Sequence, residues 1–186
     1  MRTSDADILI IPGYGNSGPD HWQSRWEQKL STARRVDLSD WNYPDRNNAV
    51  SRLVREVVAS GDRPVVLVAH SCGCALVAHA AEELSKLNIA GAFLVAPTSE
   101  TAIAAHDAID PDFAKVPRRA LPFPSLVIAS QTDPYVTIAE AQAYAKDWGA
   151  DFTDAGDAGH ITTASGHGPW PEGLLHFGGL LSRLSA

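Results

Sequence analysis

An apolar run that ends abruptly in a serine is the feature that most constrains the fold of this chain. Residues 65–70 (VVLVAH) are followed by Ser71 and then by an alanine-rich apolar stretch that starts at residue 72. Four consecutive Val and Leu residues predict a strand buried on both faces, as in a parallel sheet. The serine would therefore lie on a sharp strand-to-helix turn. This is the context of the nucleophile elbow, G-x-S-x-G, which reads AHSCG at residues 69–73. An ordinary strand–helix connection with a capping serine is the alternative.

Composition limits the classes to which the chain can belong. Its 186 residues suit one domain with a sizeable core, so we expect a single domain over residues 1–186. A net charge of −7 without a block of basic residues argues against nucleic acid or an anionic membrane as the main partner. No apolar run approaches the ~18 residues of a membrane span.

The N-terminus and the two cysteines indicate the cellular compartment in which the protein works. No apolar region resembling a signal peptide follows Met1. The only cysteines, Cys72 and Cys74, are too close in sequence for a disulfide that closes a useful loop. We therefore expect a cytoplasmic protein.

Short apolar runs alternate with amphipathic segments along the chain. Strands are predicted at residues 8–11, 35–38, 65–68, 89–95, 126–130 and 151–153, and helices at 20–30, 47–60, 72–87, 138–148 and 174–184. This alternation predicts an α/β three-layer sandwich with a largely parallel sheet. Residues 97–124, which contain Ile103, Ile109, Phe113 and several prolines, break the pattern. We expect them to form a small cap above the carboxyl ends of the strands.

Partners for the serine occur in the order that an elbow-bearing fold requires. A serine hydroxyl needs a base that is oriented by an acid, and the chain order is then Ser, Asp or Glu, His. Asp133 follows the fifth predicted strand and His160 follows the sixth, so both fall at the carboxyl edge of the sheet. Taken singly, each could be a simple loop residue, but together they favour Ser71 as nucleophile, His160 as base and Asp133 as acid. Asp154 and Asp157 are alternatives for the acid, ranked lower because they lie on the histidine's own strand end or loop.

The remaining site residues follow from the chemistry of acyl transfer. An oxyanion hole needs one backbone N–H just after the nucleophile, at Cys72, and one from the loop after the first strand, at Tyr14 or Gly15. We expect the side chain of Cys72 to point away from the chemistry. The candidates for the pocket wall are His70, Asn16 and Trp41. The other histidines show no pattern and are expected to be structural or exposed: His21, His79, His106, His167 and His176.

The loop after the first strand also supports a different function. Gly13, Gly15 and Gly18 match the dinucleotide fingerprint G-x-G-x-x-G, and Asp37 lies 19 residues beyond Gly18. Against this, Pro19 crowds the point at which a pyrophosphate would meet helix N–H groups. A dinucleotide would also leave the serine, aspartate and histidine unexplained.

Metal binding has little support. His106, Asp107, Asp110 and Asp112 are typical of a solvated loop, and neither H-E-x-x-H nor a cysteine cluster occurs. We therefore expect no metal and no cofactor.

Four blocks resemble the small α/β-hydrolase family of YdeN and the retinoblastoma-binding-protein-nine-like serine hydrolases. They are residues 12–23 (PGYGNSGPDHWQ), 68–74 (VAHSCGC), 133–135 (DPY) and 159–161 (GHI), the last running on to 168–173 (GPWPEG). The resemblance implies a minimal α/β-hydrolase fold with six parallel strands in the order 2-1-3-4-5-6. It also implies a triad of Ser71, Asp133 and His160. The pocket-protein partner implied by the vertebrate member's name is recognised through L-x-C-x-E, which does not occur in this chain.

The sequence thus predicts a cofactor-free serine hydrolase that acts on a small ester, thioester or amide through an acyl-enzyme. A non-catalytic binding module on the same scaffold is the alternative, and a dinucleotide-binding protein is a less favoured one.

Overall fold

A six-stranded sheet forms the centre of the computed structural model, which describes residues 1–184. Its strands are β1 (Asp7–Ile11), β2 (Ala33–Arg35), β3 (Val65–His70), β4 (Ile89–Val95), β5 (Ser125–Ala129) and β6 (Asp151–Asp154). Every neighbouring pair is parallel, and the order is β2-β1-β3-β4-β5-β6. The predicted fold class and strand order are confirmed.

The strand order creates a crevice beside the proposed elbow. From β1 the chain adds β2 on one side, and from β3 it adds the remaining strands on the other. The loops after β1 and β3 therefore diverge at the carboxyl edge, where open α/β sheets bind their ligands. The glycine-rich loop and Ser71 face this same opening.

Seven helices accompany the strands in the part of the chain that the structure describes. They are α1 (Trp22–Lys29), α2 (Arg46–Val58), α3 (Cys72–His79), α4 (Ala81–Leu84), α5 (Glu100–Ala104), α6 (Ile138–Trp148) and α7 (Pro171–Arg183). The predicted bounds of β4 and α6 are correct to the residue. The single helix expected over 72–87 is instead divided at Ala80 into α3 and α4.

Two other expectations for local structure were wrong. Helix α1 starts at Trp22 and not at residue 20, and the Nδ1 atom of His21 caps it by accepting the hydrogen bond from the N–H of Gln23. Strand β2 ends at Arg35, although the buried side chains of Val36 and Leu38 suggested a later strand. An apolar residue indicates that its side chain is buried, but it does not show that the residue belongs to a strand. The length of β2 depends instead on its pairing with β1.

The sheet has an apolar layer on each face. Along β3, Val65, Leu67 and Ala69 face α2, α3 and α6, whereas Val66 and Val68 face α1 and α7. This alternation is the two-residue period of a strand, here apolar on both sides because helices cover both faces. The result is the expected three-layer sandwich.

The segment between β4 and β5, residues 97–124, packs against loops at the carboxyl edge. Its Ile103, Ile109 and Phe113 are buried in the core on the α2 side of the sheet. Tyr43, in the loop after β2, packs on Phe113 with ring centroids 4.8 Å apart and donates its hydroxyl proton to the carbonyl oxygen of Pro12 at 2.6 Å. The segment therefore helps to hold the loop after β1 in place.

The start of α3 lies in close contact with the end of β1. A Cβ on Gly73 would lie 2.4 Å from the carbonyl oxygen of Ile11 and 2.8 Å from that of Pro12. Both atoms belong to the backbone at the end of β1, so they cannot move aside cheaply. Only glycine allows the helix to begin at this distance from the sheet.

No helix within residues 1–184 combines the length and the apolar character needed to cross a bilayer.

We expect Gly73→Ala to lower the free energy of unfolding by about 1–3 kcal/mol, because its methyl group would overpack the β1–α3 contact. Urea unfolding followed by circular dichroism measures this change. Gly178→Ala in α7 is the matched control: no atom lies within 4 Å of its added Cβ, so it should raise the free energy of unfolding by about 0.5–1 kcal/mol. Equal effects of the two substitutions would contradict the packing argument.

Candidate active site

The backbone turns sharply at Ser71, between β3 and α3. Its φ of 55° and ψ of −126° lie outside the regions that non-glycine residues normally occupy. The N–H of Ser71 donates to the carbonyl oxygen of Val95 at 3.0 Å, which ties the turn to the end of β4. The turn directs the serine side chain into the crevice at the carboxyl edge.

The structure brings together the three residues expected to form a triad. The Oγ atom of Ser71 lies 3.0 Å from Nε2 of His160, and Nδ1 of His160 lies 2.8 Å from Oδ2 of Asp133. The carboxyl group of Asp133 is completely buried. A carboxylate accepts the Nδ1 proton, so the unprotonated Nε2 atom faces the serine hydroxyl. This is the arrangement of a hydroxyl, a base and an orienting acid.

Hydrogen bonds join the loop that carries Asp133 to the loop that carries His160. The buried Ser130 donates its hydroxyl proton to the carbonyl oxygen of Gly156 at 3.0 Å and accepts the N–H of Ala158 at 2.9 Å. Close by, the hydroxyl of Thr132 accepts the N–H of Gly159 at 3.0 Å. Asp133 and His160 are thus held by one connected unit.

Neither alternative acid contacts His160. Asp154 is exposed and accepts a hydrogen bond from the side chain of Gln131 at 2.8 Å. Asp157 accepts the hydroxyl proton of Thr132 at 2.6 Å. Asp154, the last residue of β6, and Asp157 therefore bond to the loop after β5 and not to His160.

One of the expected oxyanion donors is already engaged. The N–H of Gly15 donates to the carbonyl oxygen of Trp41 at 2.9 Å, so it is unavailable to a substrate. The N–H of Cys72, the first residue of α3, has no acceptor within its own helix. Tyr14 and Cys72 remain as the pair of candidate donors.

The side chain of Cys72 does not point away from the site, contrary to expectation. It lines the crevice, close to the backbone N–H of Tyr14 and to the hydroxyls of Ser71 and Thr98. The reason is that side chains tilt towards the N-terminus of a helix, so the first helical residue leans back over the preceding turn. Burial raises the pKa of the thiol, which these three neighbours lower to a smaller extent.

The crevice is a cavity of about 180 Å³. Sequence reasoning expected His70 and Asn16 in its wall, and both line it. Trp41 does not, because its side chain packs against the core instead. The lining residues are Gly13, Tyr14, Asn16, Ser17, His21, His70, Ser71, Cys72, Thr98, His106, Tyr135, His160 and Thr162.

Thr98 is the functional candidate that sequence reasoning missed. Its Oγ1 atom lies 2.8 Å from the Oγ atom of Ser71, and the residue is buried. It stands just beyond the carboxyl end of β4, the strand next to β3. That position was the available signal, since side chains after neighbouring parallel strands meet at one edge of the sheet.

The rings of three cavity-lining histidines, His21, His70 and His160, pack in a row. The ring centroid of His70 lies 4.9 Å from that of His21 on one side and 4.9 Å from that of His160 on the other. Burial, followed by the neighbouring His160 and His21, holds the pKa of His70 well below its usual value. Its neutral ring donates from Nε2 to the carbonyl oxygen of His160 at 2.9 Å. His70 therefore supports the backbone of His160.

His21 is buried in the cavity wall and caps α1, which is a structural role of the kind that the sequence suggested. Burial, and then the positive charge of Arg35, lowers its pKa to about 4. A neutral ring is required at this position, because its Nδ1 atom accepts the N–H of Gln23 and caps α1.

Gly13, the first glycine of the loop after β1, lies too close to Ser71 for any side chain to fit. A Cβ on Gly13 would lie 2.6 Å from Cβ and 3.1 Å from Oγ of Ser71. By contrast, a Cβ on Gly18 would meet no atom within 4 Å, and α1 begins only at Trp22. The tight helix–strand packing for which a dinucleotide site needs its third glycine does not occur here.

Within residues 1–184, no group of three His, Cys, Asp or Glu side chains is arranged to hold a metal ion. His106 stacks on Tyr14, Asp110 caps a 3₁₀ turn and Asp112 pairs with Lys115.

A family model described as "Serine hydrolase" matches residues 8–178. A crystal structure described as a YdeN-like hydrolase from Pectobacterium atrosepticum is 31% identical, covers 94% of this chain and 90% of its own, and superimposes with a TM-score of 0.79. No match was found among curated protein sequences.

Two more distant structures share the fold. The ydeN gene product from B. subtilis is 19% identical over 96% of this chain and 100% of its own, with a TM-score of 0.71. The RedJ thioesterase of the prodiginine biosynthetic pathway in Streptomyces coelicolor is 17% identical over 96% of this chain and 92% of its own, with a TM-score of 0.65.

We expect His21 to make the folded state sensitive to acid. The unfolded chain binds a proton at this ring near pH 6.5 and the folded protein only near pH 4. The contribution to stability is thus fully present above pH 6.5 and is lost as the pH falls towards 4. Between pH 7.5 and pH 4.5, urea unfolding should show the native protein losing about 2–3 kcal/mol more than His21→Asn, in which asparagine keeps a capping acceptor without a titrating ring. The same loss in both proteins would contradict this role.

Proposed function

The chain belongs to the serine hydrolase family, and from that premise we propose that it hydrolyses a small, uncharged ester, thioester or amide through an acyl-enzyme. Membership makes the protein a hydrolytic enzyme and confirms the resemblance to YdeN-like hydrolases. The observation that carries the finer proposal is the chain of hydrogen bonds from Ser71 through His160 to Asp133, at 3.0 and 2.8 Å.

In the proposed mechanism, the Oγ atom of Ser71 attacks the acyl carbon while its proton passes to Nε2 of His160. The Asp133 carboxylate keeps the imidazole in the productive tautomer and stabilises the imidazolium. The N–H groups of Cys72 and Tyr14 stabilise the oxyanion. His160 then gives its proton to the leaving group, and water releases the acyl group by the same steps in reverse.

The dimensions and lining of the cavity support a small, uncharged acyl group. Its volume of about 180 Å³ is below the roughly 300–1,000 Å³ of pockets for drug-sized ligands. No Lys, Arg, Asp or Glu side chain lines the cavity among the described residues. A carboxylate or an ammonium on the acyl group would therefore be desolvated without a charged partner.

We also propose that the protein works in the cytoplasm on a free small molecule. Cys72 and Cys74 are both buried free thiols, as a reducing compartment allows. The net charge of −7 disfavours nucleic acid and anionic membranes as partners.

Labelling with a fluorophosphonate tests the proposal directly. The native protein should form one adduct, on the peptide containing Ser71, and should hydrolyse an aryl acetate faster than an aryl octanoate because the cavity is small. Ser71→Ala should lose both activities while its free energy of unfolding stays within about 1 kcal/mol. A native protein that neither labels nor hydrolyses either ester would favour the non-catalytic binding module.

We expect Asp133→Asn to reduce kcat/KM by about three to four orders of magnitude, because an amide can hold His160 in the wrong tautomer. Steady-state hydrolysis of the aryl acetate measures this loss. Asp157→Asn and Asp154→Asn are the matched controls and should retain most of the activity. If either control is inactive while Asp133→Asn is not, the acid has been wrongly assigned.

A further inference from the structure

A second hydroxyl touches the proposed nucleophile. After β4 the chain turns at Ala96, which has a φ of 49°, and brings Thr98 to the Ser71 side of the crevice. The Oγ1 atom of Thr98 lies 2.8 Å from Oγ of Ser71, and only 6% of the residue is exposed. Neither His160 nor Asp133 takes part in this contact.

Counting protons determines the direction of this hydrogen bond. The hydroxyl of Ser71 has a single proton, and the unprotonated Nε2 atom of His160 accepts it at 3.0 Å. A proton cannot be shared with a second acceptor, so Ser71 must act as the acceptor towards Thr98. The threonine therefore donates its own proton to Oγ of Ser71.

A purely structural role accounts poorly for this side chain. The helix that follows, α5, is capped by Ser99, whose hydroxyl accepts the N–H of Ala102 at 3.1 Å. Ser99 also donates its backbone N–H to the carbonyl oxygen of Tyr135 at 3.1 Å. Among residues 1–184, Ser71 is the only oxygen or nitrogen partner of the Thr98 hydroxyl.

We propose that Thr98 is a catalytic residue, which donates a hydrogen bond to the Oγ atom of Ser71 and stabilises the negative charge that develops there. This inference rests on the proposed function. As the bond from Oγ to the acyl carbon forms, the serine proton moves to Nε2 of His160 and the carbonyl π electrons move to the carbonyl oxygen. Thr98 keeps its proton throughout.

The same contact serves the second half of the reaction. When water attacks the acyl-enzyme, the bond from the acyl carbon to Oγ breaks and Oγ takes its electron pair. The proton that His160 gained from water then returns to Oγ. Charge develops on this oxygen in both halves, and a hydrogen bond to a charged acceptor is stronger than one to a neutral hydroxyl. The hydrogen bond from Thr98 therefore stabilises the transition states more than the ground states.

Two substitutions at Thr98 and one beside it test this inference. Thr98→Val keeps the shape and removes the donor, Thr98→Ser keeps the donor, and Ser99→Ala removes the neighbouring buried hydroxyl, which does not contact Ser71. The measurements are the second-order rate constant of fluorophosphonate labelling, and kcat and KM for the aryl acetate. Thermal unfolding is recorded for each variant.

Thr98→Val should label about 10- to 100-fold more slowly and lose kcat to a similar extent, with KM changed less than about twofold, as expected for a lost charge-assisted hydrogen bond. Thr98→Ser should stay within about threefold of the native rates. Ser99→Ala should unfold at a lower temperature without a comparable loss of rate. If Thr98→Val does not fold, Thr98→Ala replaces it in the comparison with Thr98→Ser.

The possible failures can be told apart. Native labelling rates in the Val or Ala variant, with Ser71→Ala unlabelled, would overturn the role of Thr98 and leave the proposed function standing. An equal loss in Thr98→Ser and Thr98→Val would also overturn it, since the hydroxyl would then be irrelevant. A native protein that does not label at all would overturn the proposed function itself.

Discussion

Ser71 holds a φ of 55° and a ψ of −126°, a conformation that costs a non-glycine residue about 1–3 kcal/mol. Packing on both sides maintains it. Gly73 places the start of α3 directly against the backbone of β1, and the N–H of Ser71 is bonded to Val95 at the end of β4. Strand β3, buried on both faces, holds the other end of the turn. Contacts at the centre of the sheet therefore hold Ser71 in this strained conformation, which directs its hydroxyl into the crevice.

The other two members of the proposed triad must reach this serine from some distance. Asp133 follows β5 and His160 follows β6, which are two and three strands away from β3. At about 4.8 Å per strand, this separates the strand ends by roughly 10 and 14 Å. The loops close the gap because Ser130 joins them and His70 bonds the carbonyl oxygen of His160. The short distances within the proposed triad thus depend on hydrogen bonds made outside it.

Burial of the two histidines next to His160 determines the charge that surrounds it. His70 and His21 remain neutral because burial lowers the pKa of each ring. If either were charged, it would repel the imidazolium that the proposed mechanism forms at His160. The neutral rings instead supply one hydrogen bond to the base's own backbone and one cap to α1. The positive charge of the reaction is then confined to the histidine that faces Asp133.

The sequence by itself determined the elbow, the bounds of β4 and α6, and the order of Ser71, Asp133 and His160. These features are local, because hydrophobic period, turn residues and chain order do not depend on distant contacts. Only the tertiary structure decided five further points: that Thr98 touches the nucleophile, that His21 lines the cavity, that Cys72 leans into it, that Trp41 lies outside it, and that the N–H of Gly15 is already engaged. Each of these depends on where loops from separate strands meet and on which of two nearby groups takes a hydrogen bond. No single stretch of sequence determines these contacts, because the two partners come from separate parts of the chain and meet only in the folded protein.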